Sequence, residues 1–240
     1  MCFQTLNLKR AALTLAMLLA LFVAPARASD LDDFNTAVEA AMSHHRVAAG
    51  YLRTGNVDLA VLELEAMRET WGIVSARPRP AALRDNALYT TTMLSIATQL
   101  VGIFLVLDMG RADVAIQSLD AIRKELSAMR RSSGVTVLAD CVLDSNAAMD
   151  ALFALDGKPL DATPGEVSAK ADAYRVILQR CDGMASERQR GDGEFRRLID
   201  GARASLAQVP KAIETRDADL LHRLLIELRS FDNLLAFRFG

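Results

Sequence analysis

The chain has 240 residues, of which 51% are hydrophobic, and its 28 Lys and Arg stand against 30 Asp and Glu for a formal net charge of −2. The basic residues are scattered, with no run longer than Arg130-Arg131, and one Trp and three Tyr offer little for base stacking. This excludes nucleic acid as a partner. Gly and Pro are sparse, β-branched residues are few, and Ala, Leu, Arg, Glu and Asp recur at helical spacing, which predicts an all-α chain.

Lys9 and Arg10 precede an uncharged apolar run over 11–24, and Ala26-Arg27-Ala28 has the small-x-small form that signal peptidase reads before Ser29. The run is about 14 residues, shorter than the roughly 20 that span a bilayer as a helix. No Cys follows it to accept a lipid. Residues 1–28 are therefore expected to be a cleaved leader and the mature protein to be soluble, in the periplasm or secreted. Cleavage removes Lys9, Arg10 and Arg27 and no acid, so the net charge moves from −2 to −5. Cys2 leaves with the leader. The remaining pair, Cys141 and Cys181, reads as a disulfide in an oxidising compartment, with two buried free thiols as the alternative.

Eight helices are expected, over 31–53, 56–75, 81–109, 111–131, 136–156, 164–186, 193–214 and 217–236. In the first, Phe34, Val38, Ala41, His45, Ala48, Ala49 and Leu52 share one apolar stripe, and in the second Val57, Ala60, Val61, Leu64, Met67 and Trp71 do the same. Thr54-Gly55-Asn56 joins them in a turn short enough to force an antiparallel hairpin. Similar turns follow at Met109-Gly110-Arg111 and Thr215-Arg216-Asp217, each with an Asp in the first turn of the next helix, where it meets the positive end of the helix dipole. Their spacing suggests repetition of a helical hairpin. A further copy would turn near residue 164, where Thr163-Pro164-Gly165-Glu166 reads as a capping box.

The third helix carries no charge over 86–107, long enough to cross a membrane. Its Thr-rich first half and its hairpin turn favour the central helix of a bundle, so membrane insertion is not expected. Pro210 should kink the seventh helix. Ser132-Ser133-Gly134 is the expected junction between two tandem four-helix bundles, over 29–131 and 135–240. If helices five and six fold back about residue 160, Cys141 and Cys181 come to the same height, so their bond would tie the open end of that hairpin. The apolar segment 234–240 should dock on the second bundle.

No nucleophile elbow, zincin motif, Cys-x-x-Cys knuckle, Glu-x-x-His pair or phosphate-binding glycine loop occurs, and only His44, His45 and His222 are available for acid–base work. An enzyme is not expected. His45, within the apolar stripe, reads as a buried structural residue, with a ligand role as the alternative. Met67, Met93, Met129 and Met149 read as core filling.

The stretch from Gly110-Arg111-Ala112-Asp113 through Leu126 resembles the turn and opening of the last helix in the periplasmic cytochrome c prime type of four-helix bundle, an outline likeness covering residues 30–131. That family's haem attachment implies a Cys-x-x-Cys-His motif near the end of the fourth helix. The motif is nowhere in this chain, so covalent haem is excluded and no ligand role carries over to any residue here. A noncovalent b-type haem or a metal remains the alternative cofactor. Its candidate ligands are His45, Met149 and His222, the last two expected at similar heights. The leading expectation is a protein without cofactor that binds or scaffolds a periplasmic protein or a small ligand.

Overall fold

The computed structural model describes residues 30–160 and 162–240, and the expected leader lies outside them. The described chain is all-α and separates into two compact units, divided between Val135 and Thr136.

The first unit holds α1 (30–53), α2 (Val57–Ala76), a 3-10 turn (Ala81–Leu83), α3 (Tyr89–Asp108) and α4 (Ala112–Arg131). Each helix buries one stripe with a period near 3.6, such as Ala60, Leu64, Met67, Trp71 and Val74 in α2 and Ala115, Leu119, Ile122, Leu126 and Met129 in α4. With Phe34, Ala41, Ala48 and Leu52 of α1 and Ile96, Leu100 and Ile103 of α3 they form one core. α1 is tied to its neighbours by His44–Glu63 in α2 (2.7 Å) and by the Phe34–Tyr89 ring contact at the start of α3.

The short turns share one geometry. In the first, Asn56 N–H donates to the Tyr51 carbonyl (2.9 Å) and Gly55 N–H to the Leu52 carbonyl (3.2 Å). In the second, Arg111 donates to Val106 and Gly110 to Leu107, both at 2.8 Å. In the third, Asp217 donates to Ala212 (2.9 Å) and Arg216 to Ile213 (3.2 Å). This is the Schellman arrangement, which requires a left-handed residue just past the helix. Gly55 (φ +77°), Gly110 (φ +73°) and Arg216 (φ +54°) supply it.

The third helix starts later than the expected residue 81. Asn86 is buried, its Oδ1 accepts from Leu88 N–H (2.8 Å), and its Nδ2 donates to the Met129 carbonyl (2.6 Å) and Ser133 Oγ (2.7 Å). The side chain thus offers the backbone a turn in place of a helix and anchors that turn to the end of α4.

The second unit comprises α5 (Leu138–Phe153), α6 (Pro164–Met184), α7 (Glu187–Arg190), α8 (Gly193–Leu206), α9 (Val209–Glu214) and α10 (Ala218–Phe239). α5 and α6 form a hairpin joined by the Cys141–Cys181 disulfide, with a Cα–Cα distance of 5.4 Å, as the equal-height argument expected. α10 packs on α5, α8 and α9. The bare backbone of Gly201 lets the Phe231 ring lie against α8, where a Cβ would come within 2.5 Å of it. The C-terminal segment docks within this unit, Phe239 meeting Phe195 edge-on at 5.1 Å.

Two local expectations need correction here, and one element is new. The seventh helix is broken rather than kinked, because Pro210 sits in the first turn of α9 and the chain leaves helix at Ala207 and Gln208. A continuous helix would have set the proline ring against the carbonyl of Leu206. Pro164 opens α6 as expected, but the Thr163 hydroxyl donates back to the Pro159 carbonyl (3.2 Å) and does not cap. The capping box forms instead at Ser186 and Gln189, opening the unforeseen one-turn α7.

Candidate functional site

The outer face of α3 is the largest departure from what its sequence suggested. A central bundle helix would be covered on every side. α3 buries Tyr89, Met93, Ile96, Leu100, Ile103 and Leu107 on one side, yet leaves Leu94 (67% exposed), Val101 (56%), Leu105 (62%) and, just past its end, Met109 (74%) in solvent. Ala97 and Gly102 lie beside them, half-buried. Thr98 is exposed too, but its hydroxyl is engaged by the Leu94 carbonyl (2.9 Å), so it offers little hydrogen-bonding capacity outward. α2 also exposes Leu59, Leu62 and Ile73, but exposed Glu65 and Glu69 interrupt them. No charge interrupts α3 before Asp108. An exposed face of this kind marks an interaction site more often than scattered single hydrophobics do.

Charges bound this face at its ends. Thr90 and Asp108 are 18 residues apart, which is five turns, so they share one side of the helix. At the N-terminal end Arg79 donates to Thr90 Oγ1 (2.7 Å) and to the Arg84 carbonyl (2.8 Å), with its guanidinium 4.3 Å from the centre of the Tyr89 ring. These partners are all uncharged. Asp108 is exposed at the other end. Along one edge Arg68 of α2 lies over the Phe104 ring.

Each unit also holds a buried ionisable group in its core. In the first unit His45 is buried and its Nε2 lies 2.8 Å from the Leu119 carbonyl, which can only accept, so Nε2 carries the proton. Nδ1 has no partner among the described residues. Burial holds the pKa down at about 3, with Arg123, Arg46 and Arg53 pressing the same way and the Leu119 bond opposing them.

In the second unit Asp232 of α10 is fully buried. Its Oδ1 accepts from Ser145 Oγ of α5 (2.8 Å) and Tyr174 Oη of α6 (3.3 Å), and its Oδ2 from Asn146 Nδ2 (2.8 Å). Burial raises its pKa above the ordinary carboxylate value, against the three hydrogen bonds and Arg229, which favour the anion. Burial, and then the carboxylate itself, push the Tyr174 phenol far up. Asp232 is absent from the sequence candidates, although it lies in line with Leu221, Leu225, Leu228 and Leu235, an acid inside an apolar stripe.

The sequence candidates for a cofactor are divided between the two units. His45 belongs to the first unit, Met149 and His222 to the second. Ser145 with Asp232, Asp150 with Arg229 and Asp156 with His222 set the register of α5 against α10. Met149 is therefore level with Arg229, about 10 Å along the helix from His222, which corrects the expectation of similar heights. Met149 is buried in the core, whereas the exposed His222 ring meets Asp156 at 2.9 Å. Among the described residues no three His, Cys, Asp or Glu side chains form a metal-binding group.

Comparison with protein-family models, with curated proteins and with solved structures finds no match to this chain.

Proposed function

We propose that this is an exported, noncatalytic protein that works by binding another protein, and that the outer face of α3 is its docking surface. On this reading the leader is cut after Ala28, and the mature chain is two tandem four-helix bundles in the periplasm or beyond the cell. The observation that carries it is the solvent exposure of Leu94, Val101 and Leu105 on a helix face without charge. Such a face has nothing to offer the chemistry of a polar substrate, and water leaves it at little cost when a complementary apolar surface arrives. The Cys141–Cys181 bond supports an oxidising compartment.

The test is site-specific photo-crosslinking in cells. A photoreactive residue at Leu105 should give a protein adduct on irradiation, and the same residue at exposed Val176 of α6 should not. Absence of adducts from Leu94, Val101 and Leu105 alike would overturn the reading. Mass spectrometry of the exported protein should find a chain beginning at Ser29.

A further inference from the structure

We propose that the occupant of the α3 face is a second copy of this chain, laid antiparallel to the first about a two-fold axis through the middle of the helix. The inference rests on the protein-binding reading above and names the partner. It follows from the order of groups along the face: the Arg79 guanidinium on Thr90, then Leu94, Ala97, Val101 and Leu105, then Asp108.

That order is self-complementary. A two-fold axis near residue 99 places Thr90 opposite Asp108, Leu94 opposite Leu105, and Ala97 opposite Val101. Each copy's Arg79 then meets the other's Asp108, and apolar groups face apolar groups between them. A closed two-fold contact demands this property, since residue i must suit residue j and j must suit i. A parallel arrangement would set Arg79 against Arg79 and Asp108 against Asp108, and would align the helix dipoles unfavourably.

A lipid surface fits less well. Interfacial helices carry cations along the whole margin of their apolar face; here Arg79 and Arg68 lie at one end and one edge, but the other end is an exposed carboxylate and the chain is acidic overall. The size of the face sets the strength. About 27 Å of helix about 10 Å wide offers roughly 300 Å² per copy, well under the roughly 800 Å² per partner of a standard stable interface. The dimer is therefore weak and concentration-dependent.

Sedimentation equilibrium of the purified mature protein, over a range of concentrations, tests this. The wild type should pass from monomer to dimer, with the midpoint rising on added salt. Val101→Glu sets a charge against its own image near the axis and should abolish the dimer. Because Val101 is exposed, its helical circular dichroism and unfolding midpoint should stay as in the wild type. Asp108→Arg should weaken association by roughly tenfold or more, and Arg79→Glu combined with Asp108→Arg should restore it. A protein that stays monomeric at every concentration overturns self-pairing. A crosslink from Leu105 to a different protein would in that case leave the protein-binding reading standing. A dimer indifferent to Val101→Glu and to the charge reversal also overturns it, as does co-flotation with phosphatidylethanolamine–phosphatidylglycerol vesicles that Val101→Glu abolishes.

Discussion

Replacing Asp232 with alanine should unfold the second unit more easily, and replacing it with asparagine should not. The carboxylate satisfies the Ser145 and Tyr174 hydroxyls, both fully buried, and the half-buried Asn146 amide. Alanine removes the acceptor that the two hydroxyls share; Ser145 and Tyr174 keep a hydrogen bond to each other, which leaves one buried donor without an acceptor, at about 1 to 3 kcal/mol. It also removes a desolvated carboxylate whose charged form the fold disfavours, which offsets part of the loss. With the half-buried Asn146 amide also losing its acceptor, the expected net destabilisation is about 1 to 3 kcal/mol. Asparagine keeps the shape and an acceptor at Oδ1, and Asn146 can turn its own amide to accept, so its effect should stay within about 1 kcal/mol. The pH dependence separates these further. Asp232 has its folded pKa raised, so its favourable contribution is full below the unfolded value of about 3.9 and is lost as pH rises through the folded value. Acidification from neutrality toward pH ~4 should therefore stabilise the wild type relative to Asp232→Asn. Urea unfolding followed by far-UV circular dichroism measures this. Fluorescence of Trp71, the single tryptophan, reports the first unit and serves as an internal control. Equal losses for the alanine and asparagine variants, or pH profiles that run parallel, would refute the reasoning.

The first unit should respond to acid in the opposite sense. Its buried His45 has a folded pKa lowered to about 3, so the stability it lends is complete above about 6.5 and falls by up to about 1.4 kcal/mol per pH unit below that. Trp71 unfolding curves should show this slope in the wild type and lose it in His45→Leu. Replacing both Cys141 and Cys181 with Ala opens a loop with a sequence separation of 40 and should cost the second unit about 4 kcal/mol. Nonreducing peptide maps should recover the linked pair. Gly55→Ala and Gly110→Ala should each cost about 1 kcal/mol through backbone strain alone, because no atom lies within 4 Å of the added Cβ, and the Asn variants should cost less.

Much of the architecture follows from the chain read locally. The 3.6-residue spacing of Leu64, Met67 and Trp71, or of Leu119, Ile122 and Leu126, defines both the existence of a helix and its buried side, because a helix with one apolar stripe has one way to hide it. Gly55 and Gly110 mark helix ends because the left-handed cap favours a residue without a Cβ. The disulfide was legible because hairpin register converts sequence separation into height. Where a local pattern admits two answers, tertiary packing chose. Asn86 could have continued α3, but the Met129 carbonyl and Ser133 hydroxyl gave its side chain partners that hold it in a turn. Asp232 stands in an apolar stripe, and the arrival of Ser145 and Asn146 from α5 and Tyr174 from α6 makes its burial tolerable. Helix order alone puts Met149 and His222 level, and the side-chain pairs along α5 and α10 set them two turns apart. α3 is the sharpest case. A helix without charge on any side before its last residue carries little sign of which side faces water, so its sequence determined that it would be helical and uncharged, while the number and placement of its neighbours decided that Leu94, Val101 and Leu105 would be left outside.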